Sequence, residues 1–186
     1  MTWTTNPETF ESKMLPHLNA AFTLARWITG NVQDAEEAVQ EAYLRALRFF
    51  QDCRGGDGRA WLLQIVRNTC YTQLRKKPRL SDSEFDEEVH APECCSGTPE
   101  KIAIRNADSE MVHKAIAELP ARYREILILR ELEGMSYSEM STVLDESLGN
   151  IRTMLFRARQ QLKKRLIAAT AQQNSKIDSG MPIIIP

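Results

Sequence analysis

Glycine and proline are scarce in this chain, eight of each in 186 residues. With so few chain breakers against an abundance of Leu, Ala, Glu, Arg and Gln, the composition favours helix over a turn-rich β architecture. Cysteine is sparse too. Cys53, Cys70, Cys94 and Cys95 form no obvious disulfide framework, and the adjacent Cys94 and Cys95 are badly placed to pair with each other. The sequence does not open on a basic segment followed by an apolar one. No apolar run approaches the ~18 residues that a membrane helix needs. These absences lead to the expectation of a cytoplasmic protein in a reducing compartment, without membrane insertion. The three histidines, His17, His90 and His113, are scattered. There is no His/Cys/Ser constellation and no phosphate-cradling loop, so no enzyme, catalytic residue, cofactor or metal is expected.

Net charge of either sign is also missing: the formal value is -1. Attraction to a polyanion must therefore be local, and the charges are indeed segregated. "SDSEFDEEVHAPECCSGTPE", Ser81 to Glu100, holds seven acidic residues and no Lys or Arg, directly after the basic run "RKKPR". The acidic segment has no usable period and reads as a flexible linker.

On either side of it the pattern is helical, so the expected fold is all-α: two small helical domains joined by a flexible acidic linker. Apolar residues recur at helical spacing through Phe10, Met14, Leu18, Ala21 and Leu24, and again through Val32, Ala35, Val39, Ala42, Ala46 and Phe50, with Gly30-Asn31 between the runs. "CRGGDG", Cys53 to Gly58, is a loop, and a third helix is predicted from about Arg59 to Lys76, stopped by Pro78. After the linker, Thr98 is a candidate cap with Pro99 at the first helical position. Pro120 starts another helix that Gly134 is placed to end. "SYSE", Ser136 to Glu139, has capping-box spacing before a short helix to about Leu144. Ser147 is placed to cap a last helix from about Leu148 to Ile167. The expected divisions are 8–79, the linker 80–98, 99–168, and a disordered tail 169–186.

"GNIRTMLFRARQQLKKRL", Gly149 to Leu166, carries six basic residues and no acid. On a helix, at about 100° per residue, Ile151, Leu155, Ala158, Leu162 and Leu166 fall within about 80° and face a core. Opposite lie Arg152, Thr153, Phe156, Arg157, Gln160, Lys163 and Lys164. A solvated charged face with one stray aromatic is the plain reading. The capped short helix and tight turn that precede it instead give helix-turn-helix order. In that arrangement the second helix enters the major groove, arginine reads guanine or holds phosphate, an aromatic lies on a thymine methyl, and the distal lysines suit phosphates.

These residues carry a resemblance. "ELPARYREILILRELEGMSYSEMSTVLDESLGNIRTMLFRARQQL" resembles region 4 of extracytoplasmic-function (ECF) sigma factors, the short bacterial sigma-70 relatives. "DAEEAVQEAYLRALR" resembles region 2.2, and "GRAWLLQIVRNTCYTQLRKKPR" resembles regions 2.3 and 2.4. The likeness covers about Phe10 to Pro78 and Glu118 to Leu166. It implies a transcription initiation factor that binds RNA polymerase core and directs it to promoter DNA. Region 4 would read the -35 element through Asn150, Arg152, Thr153, Phe156, Arg157, Gln160, Lys163 and Lys164. Region 2 would read the -10 element, partly as single strand, through Arg54, Asp57, Arg67, Asn68, Arg75, Lys76 and Lys77. The family's base-contacting asparagine aligns with Asn68, and its base-holding loop with Cys53 to Asp57. Asp34, Glu37, Gln40 and Glu41 would dock on the β′ clamp coiled coil, and the β flap is a further implied contact. An anti-sigma factor is an implied partner. Trp61 reads as core.

Three departures stand out. Asp145 and Glu146 fill turn positions that usually hold glycine and an apolar residue. Met154 replaces a common arginine, and the region 2 loop is rich in glycine. Two rival readings have weaker support: a helix-turn-helix regulator acting without polymerase, and a metal or redox sensor built on His90, Cys94 and Cys95. The acidic linker could let the halves move into an anti-sigma complex, or shield the basic faces of the free protein until core polymerase separates them.

Overall fold

The computed structural model describes residues 9–50, 57–76 and 109–178, and every regular element among them is helical. In the first half, Thr9 caps α1 (Phe10–Met14) by accepting the Ser12 N–H at 3.3 Å. Pro16 then tightens the chain into a 3-10 turn, Leu15–His17, before α2 (Leu18–Thr29). That turn breaks the helical register, and Leu18, placed in the core by periodicity, stands 45% exposed. Gly30 ends α2 in the left-handed conformation (φ 74°) and Asn31 caps α3 (Val32–Arg48), as their residue types predict. Then comes α4 (Gly58–Lys76). A Cβ on Gly58 would lie 3.1–3.3 Å from the Lys13 and Met14 side chains, so the start of α4 presses on α1.

The core of this half is built largely from small residues. Ala21, Ala25, Ala35, Ala38, Ala42, Ala46 and Ala60 are buried beside Leu24, Leu62, Leu63 and Val66. Alanines let helices approach closely at native packing density. The Tyr43 hydroxyl donates to the Met14 carbonyl at 2.9 Å and pins α1 to α3, and burial pushes its pKa up to about 12. Trp61 packs on this core half-buried, as expected.

The second half contains α5 (residues 109–117), α6 (Ala121–Leu127), α7 (Tyr137–Leu144) and α8 (Leu148–Asp178). Pro120 caps α6 and Gly134 follows its end at φ 64°, where sequence places them. Between them α6 widens into a π-helical turn, Ile128–Leu132, a feature with no sequence signature. The helix α8 corrects one expectation: it runs beyond Ile167 to Asp178, so 169–178 are helical. "AATAQQ" contains no breaker, and the first glycine beyond it is Gly180. The linker 80–98, Thr98 and the Ile-rich end lie outside the described residues.

The halves share one apolar core in which α2 and α4 meet the second half. Arg59 on α4 donates to the Glu133 carboxylate at 2.6 Å and to its carbonyl at 2.8 Å. Arg124 on α6 donates to the Trp27 carbonyl at 3.1 Å, and the Trp27 ring stacks on His113 at 5.4 Å. Sequence periodicity does not foresee this contact.

The capping box at Ser136 is complete: Ser136 Oγ accepts the Glu139 N–H at 3.2 Å, and Glu139 accepts the Ser136 N–H at 2.6 Å. The bonds to Ser136 hold the Glu139 carboxyl below its ordinary range. A depressed folded-state pKa adds stability above the ordinary carboxylate range, and that stability is lost as pH falls through it. Ser136→Ala should cost about 1 kcal/mol near neutrality, measured by urea unfolding, and the difference from the parent should narrow as pH falls through the carboxylate range.

Candidate nucleic-acid and polymerase interface

The second half presents a helix-turn-helix. The turn from α7 into α8 is held by three groups. Asp145 adopts the left-handed conformation (φ 55°, ψ 48°), which explains why glycine is the easier residue there. Ser141 donates its hydroxyl to the Glu146 carbonyl at 2.5 Å. Ser147 Oγ accepts the Asn150 N–H at 3.3 Å and caps α8. The Glu146 side chain turns away from open solvent. It accepts from Arg122 at 2.7 Å and from the Asn150 amide at 3.0 Å, so the charge of this unusual turn residue is met by a cation on α6.

The faces of α8 fall as geometry predicts. Ile151, Leu155 and Ala158 are buried, Leu162 and Met154 pack half-buried on the core, and Leu166 is half-buried. Asn150, Arg152, Thr153, Phe156, Arg157, Gln160, Lys163 and Lys164 are all exposed, Phe156 by 64%. The six basic residues of the segment divide. Arg159 bonds Glu131 and Arg165 bonds Glu118, each at 2.6 Å, which ties α8 to its own half. Arg152, Arg157, Lys163 and Lys164 line the outer face. Tyr137, which the sequence shows only as part of the capping box, lies between Arg130 at 5.2 Å and Arg152 at 6.0 Å. Its ring supports Arg152 at the outer surface.

In the first half the expected -10 residues separate. Asn68, Arg75 and Lys76 are exposed on α4. Asp57 caps α4, accepting the Arg59 N–H at 3.0 Å. Arg67 is half-buried against the second half: its Nε–H donates to Glu125 at 3.0 Å. Arg54 and Lys77 lie outside the described residues, as do most of the loop Cys53 to Gly58 and the sensor candidates His90, Cys94 and Cys95. Among the described residues no cluster of His, Cys, Asp or Glu is arranged to hold a metal, and no helix is long and apolar enough to cross a membrane.

On α3, Glu37 and Gln40 are exposed, Asp34 is half-buried, and Glu41 is bonded to Arg45 at 2.7 Å. Sequence reasoning counted only these polar residues. Leu44 and Leu47, 55% and 54% exposed, continue the same face. Two leucines left out of an otherwise alanine-rich stripe were the available signal.

Comparison with known proteins finds relatives of both halves. The family model for sigma-70 region 2 matches residues 14–80 and that for sigma-70 region 4 matches residues 109–162. RNA polymerase sigma-H factor of Pseudomonas aeruginosa is 34% identical over 145 residues, 73% of this chain and 75% of that protein. ECF RNA polymerase sigma factor SigE of Mycolicibacterium smegmatis is 29% identical over 150 residues, 81% of this chain but only 58% of that longer protein. Among solved structures, the sigma factor RpoE of Bartonella quintana, in complex with the anti-sigma factor NepR, superposes with a TM-score of 0.68 at 28% identity, covering 84% of this chain and 96% of RpoE.

Asp145→Gly removes the Cβ that the left-handed turn disfavours, and should stabilise the fold by under about 1 kcal/mol, read as a raised urea midpoint.

Proposed function

The chain belongs to the ECF sigma factors of the sigma-70 family, and on that premise we propose that it joins RNA polymerase core, reads a promoter with both halves and starts transcription there. The observation that carries this reading is the outer face of α8: four basic side chains and one aromatic 64% exposed, on the second helix of a helix-turn-helix. Residues 8–79 would act as region 2 and 99–168 as region 4.

Asn150, Arg152, Thr153, Phe156, Arg157 and Gln160 lie where a major-groove helix offers its first turns to the -35 bases. Lys163 and Lys164, farther along, meet phosphates. Asn68, Arg67, Arg75 and Lys76, with Arg54, Asp57 and Lys77, are the -10 set. Asp34, Glu37, Gln40 and Glu41 dock on the β′ clamp coiled coil, joined by the apolar contacts of Leu44 and Leu47, and region 4 meets the β flap. An anti-sigma factor is the regulatory partner, supported by the RpoE relative having been solved with one.

Promoter geometry adds a requirement. Elements named -10 and -35 lie about 25 base pairs apart, on the order of 80 Å along B-form DNA. Halves that touch through Arg59 and Glu133 at 2.6 Å cannot reach both at once, so the closed form must open on the way to the promoter.

Reconstitution with core polymerase, followed by sequencing of transcript starts, should reveal initiation at a defined promoter set; no initiation with any bacterial core enzyme overturns the proposal. Phe156→Ala should weaken binding of the matching -35 duplex about tenfold, read by fluorescence anisotropy. Because the ring is exposed, its unfolding free energy should stay within about 0.5 kcal/mol of the parent.

A further inference from the structure

One buried anion has no part in the function proposed above. Glu125 sits on α6 in the second half and is 2% exposed, yet both of its carboxylate oxygens are held from α4 in the first half. Arg67 donates its Nε–H to one oxygen at 3.0 Å, and Tyr71 donates its hydroxyl to the other. Arg67 and Tyr71 lie one turn apart, with the guanidinium 5.1 Å from the ring centroid. The helix α4 thus carries a fork of two donors, stiffened by a cation–ring contact, that converges on one anionic group.

Nothing about the fork demands a carboxylate. A phosphodiester also presents two anionic oxygens on one centre, and an arginine beside an aromatic ring is the usual equipment for holding a single strand. Asn68 lies next to Arg67 in the chain, and Arg75 and Lys76 continue the same helix. We infer that Arg67 and Tyr71 form a backbone-phosphate site for the melted promoter strand, and that Glu125 occupies this site from within the chain while the two halves are closed. The inference rests on reading α4 as the -10 face. It adds Tyr71 to that face and gives Glu125 the role of an internal phosphate mimic.

The other ties between the halves fit this role. The Arg59–Glu133 pair, the Arg124 bond to the Trp27 carbonyl and the Trp27–His113 stack hold the second half against the first and so keep the carboxylate in the fork. Strand and carboxylate exclude one another. Any partner that binds only the open form therefore raises affinity for the strand by population shift, without touching the DNA.

The test is fluorescence anisotropy of the full chain with a fluorescein-labelled, mixed-sequence single strand of about 20 nucleotides, across a salt series. Glu125→Gln should bind about fivefold more tightly than the parent, or better, with a log–log salt slope steeper by about 0.7 for each phosphate gained. Arg67→Ala in the Glu125→Gln chain should abolish the gain. Tyr71→Phe in that chain alters no charge and should still reduce it, which a general loss of positive charge does not explain. Because substitution of a buried residue can itself impair folding, Arg59→Gln loosens the same contact from outside the fork and should also tighten binding. Unchanged affinity in folded Glu125→Gln and in Arg59→Gln, or a gain that survives Arg67→Ala, overturns the inference. Initiation by the parent protein with core polymerase is scored separately. Initiation without the fork effect removes this inference alone, whereas the fork effect without initiation removes the promoter reading and leaves an anion site.

Discussion

A carboxylate taken out of water must be met by hydrogen bonds, and in this protein the Glu125 carboxylate is met entirely from the other half of the chain. The desolvation cost of such a group is several kcal/mol. Arg67 and Tyr71 offset it only while α4 and α6 stay in contact. Closed halves satisfy the group through Arg67 and Tyr71, and open halves would return it to water. Burial, then the hydrogen bond to Glu125 and its charge, raise the Tyr71 hydroxyl pKa above its ordinary value. Arg124, beside Glu125 on α6, donates to the Trp27 and Leu119 carbonyls, while its buried Nε–H meets no hydrogen-bond acceptor among the described residues.

The second half is organised around a different constraint, the sharp turn between α7 and α8. Its left-handed residue is aspartate, not glycine, and the next residue is a second acid. Two negative charges at the edge of the candidate nucleic-acid face would repel phosphates. Arg122 offsets the charge of Glu146, the Asn150 amide bonds the same carboxylate, and Ser141 closes the turn through the backbone. The turn therefore keeps its geometry with unusual residues, and α8 leaves it with Arg152, Phe156 and Arg157 on the outer surface. A chain of formal net charge -1 can present a basic helix because its charges are sorted by face: Glu131 and Glu118 meet Arg159 and Arg165, while Arg152, Arg157, Lys163 and Lys164 stand on the outer surface.

Much of this architecture is legible in the sequence. Gly30, Asn31, Pro120, Gly134 and Ser136 act where their residue types place them, because caps and left-handed turns are settled within a few residues. The two faces of α8 were legible for the same reason. Leu18 was misplaced because Pro16 inserts a 3-10 turn, and a wheel cannot register a change of pitch inside an apparently continuous period. The π-turn at Ile128–Leu132 was invisible, since one additional residue per turn is chosen by packing. The end of α8 lies farther along than expected because "AATAQQ", which holds no glycine or proline, propagates a helix.

Sequence alone determined that this chain is helical, where most of its helices begin and end, which face of α8 turns outward, and which family it resembles. Each of these depends on a 3.6-residue period, on a cap, or on a motif contiguous in the chain. Only the tertiary structure decided that Arg67 faces Glu125, 58 residues away, that Tyr71 joins it, and that Leu44 and Leu47 remain uncovered. Partners so distant in sequence leave no periodic trace. They are selected when α2, α4 and α6 bury their apolar faces together, and the polar groups caught at that seam must then satisfy one another.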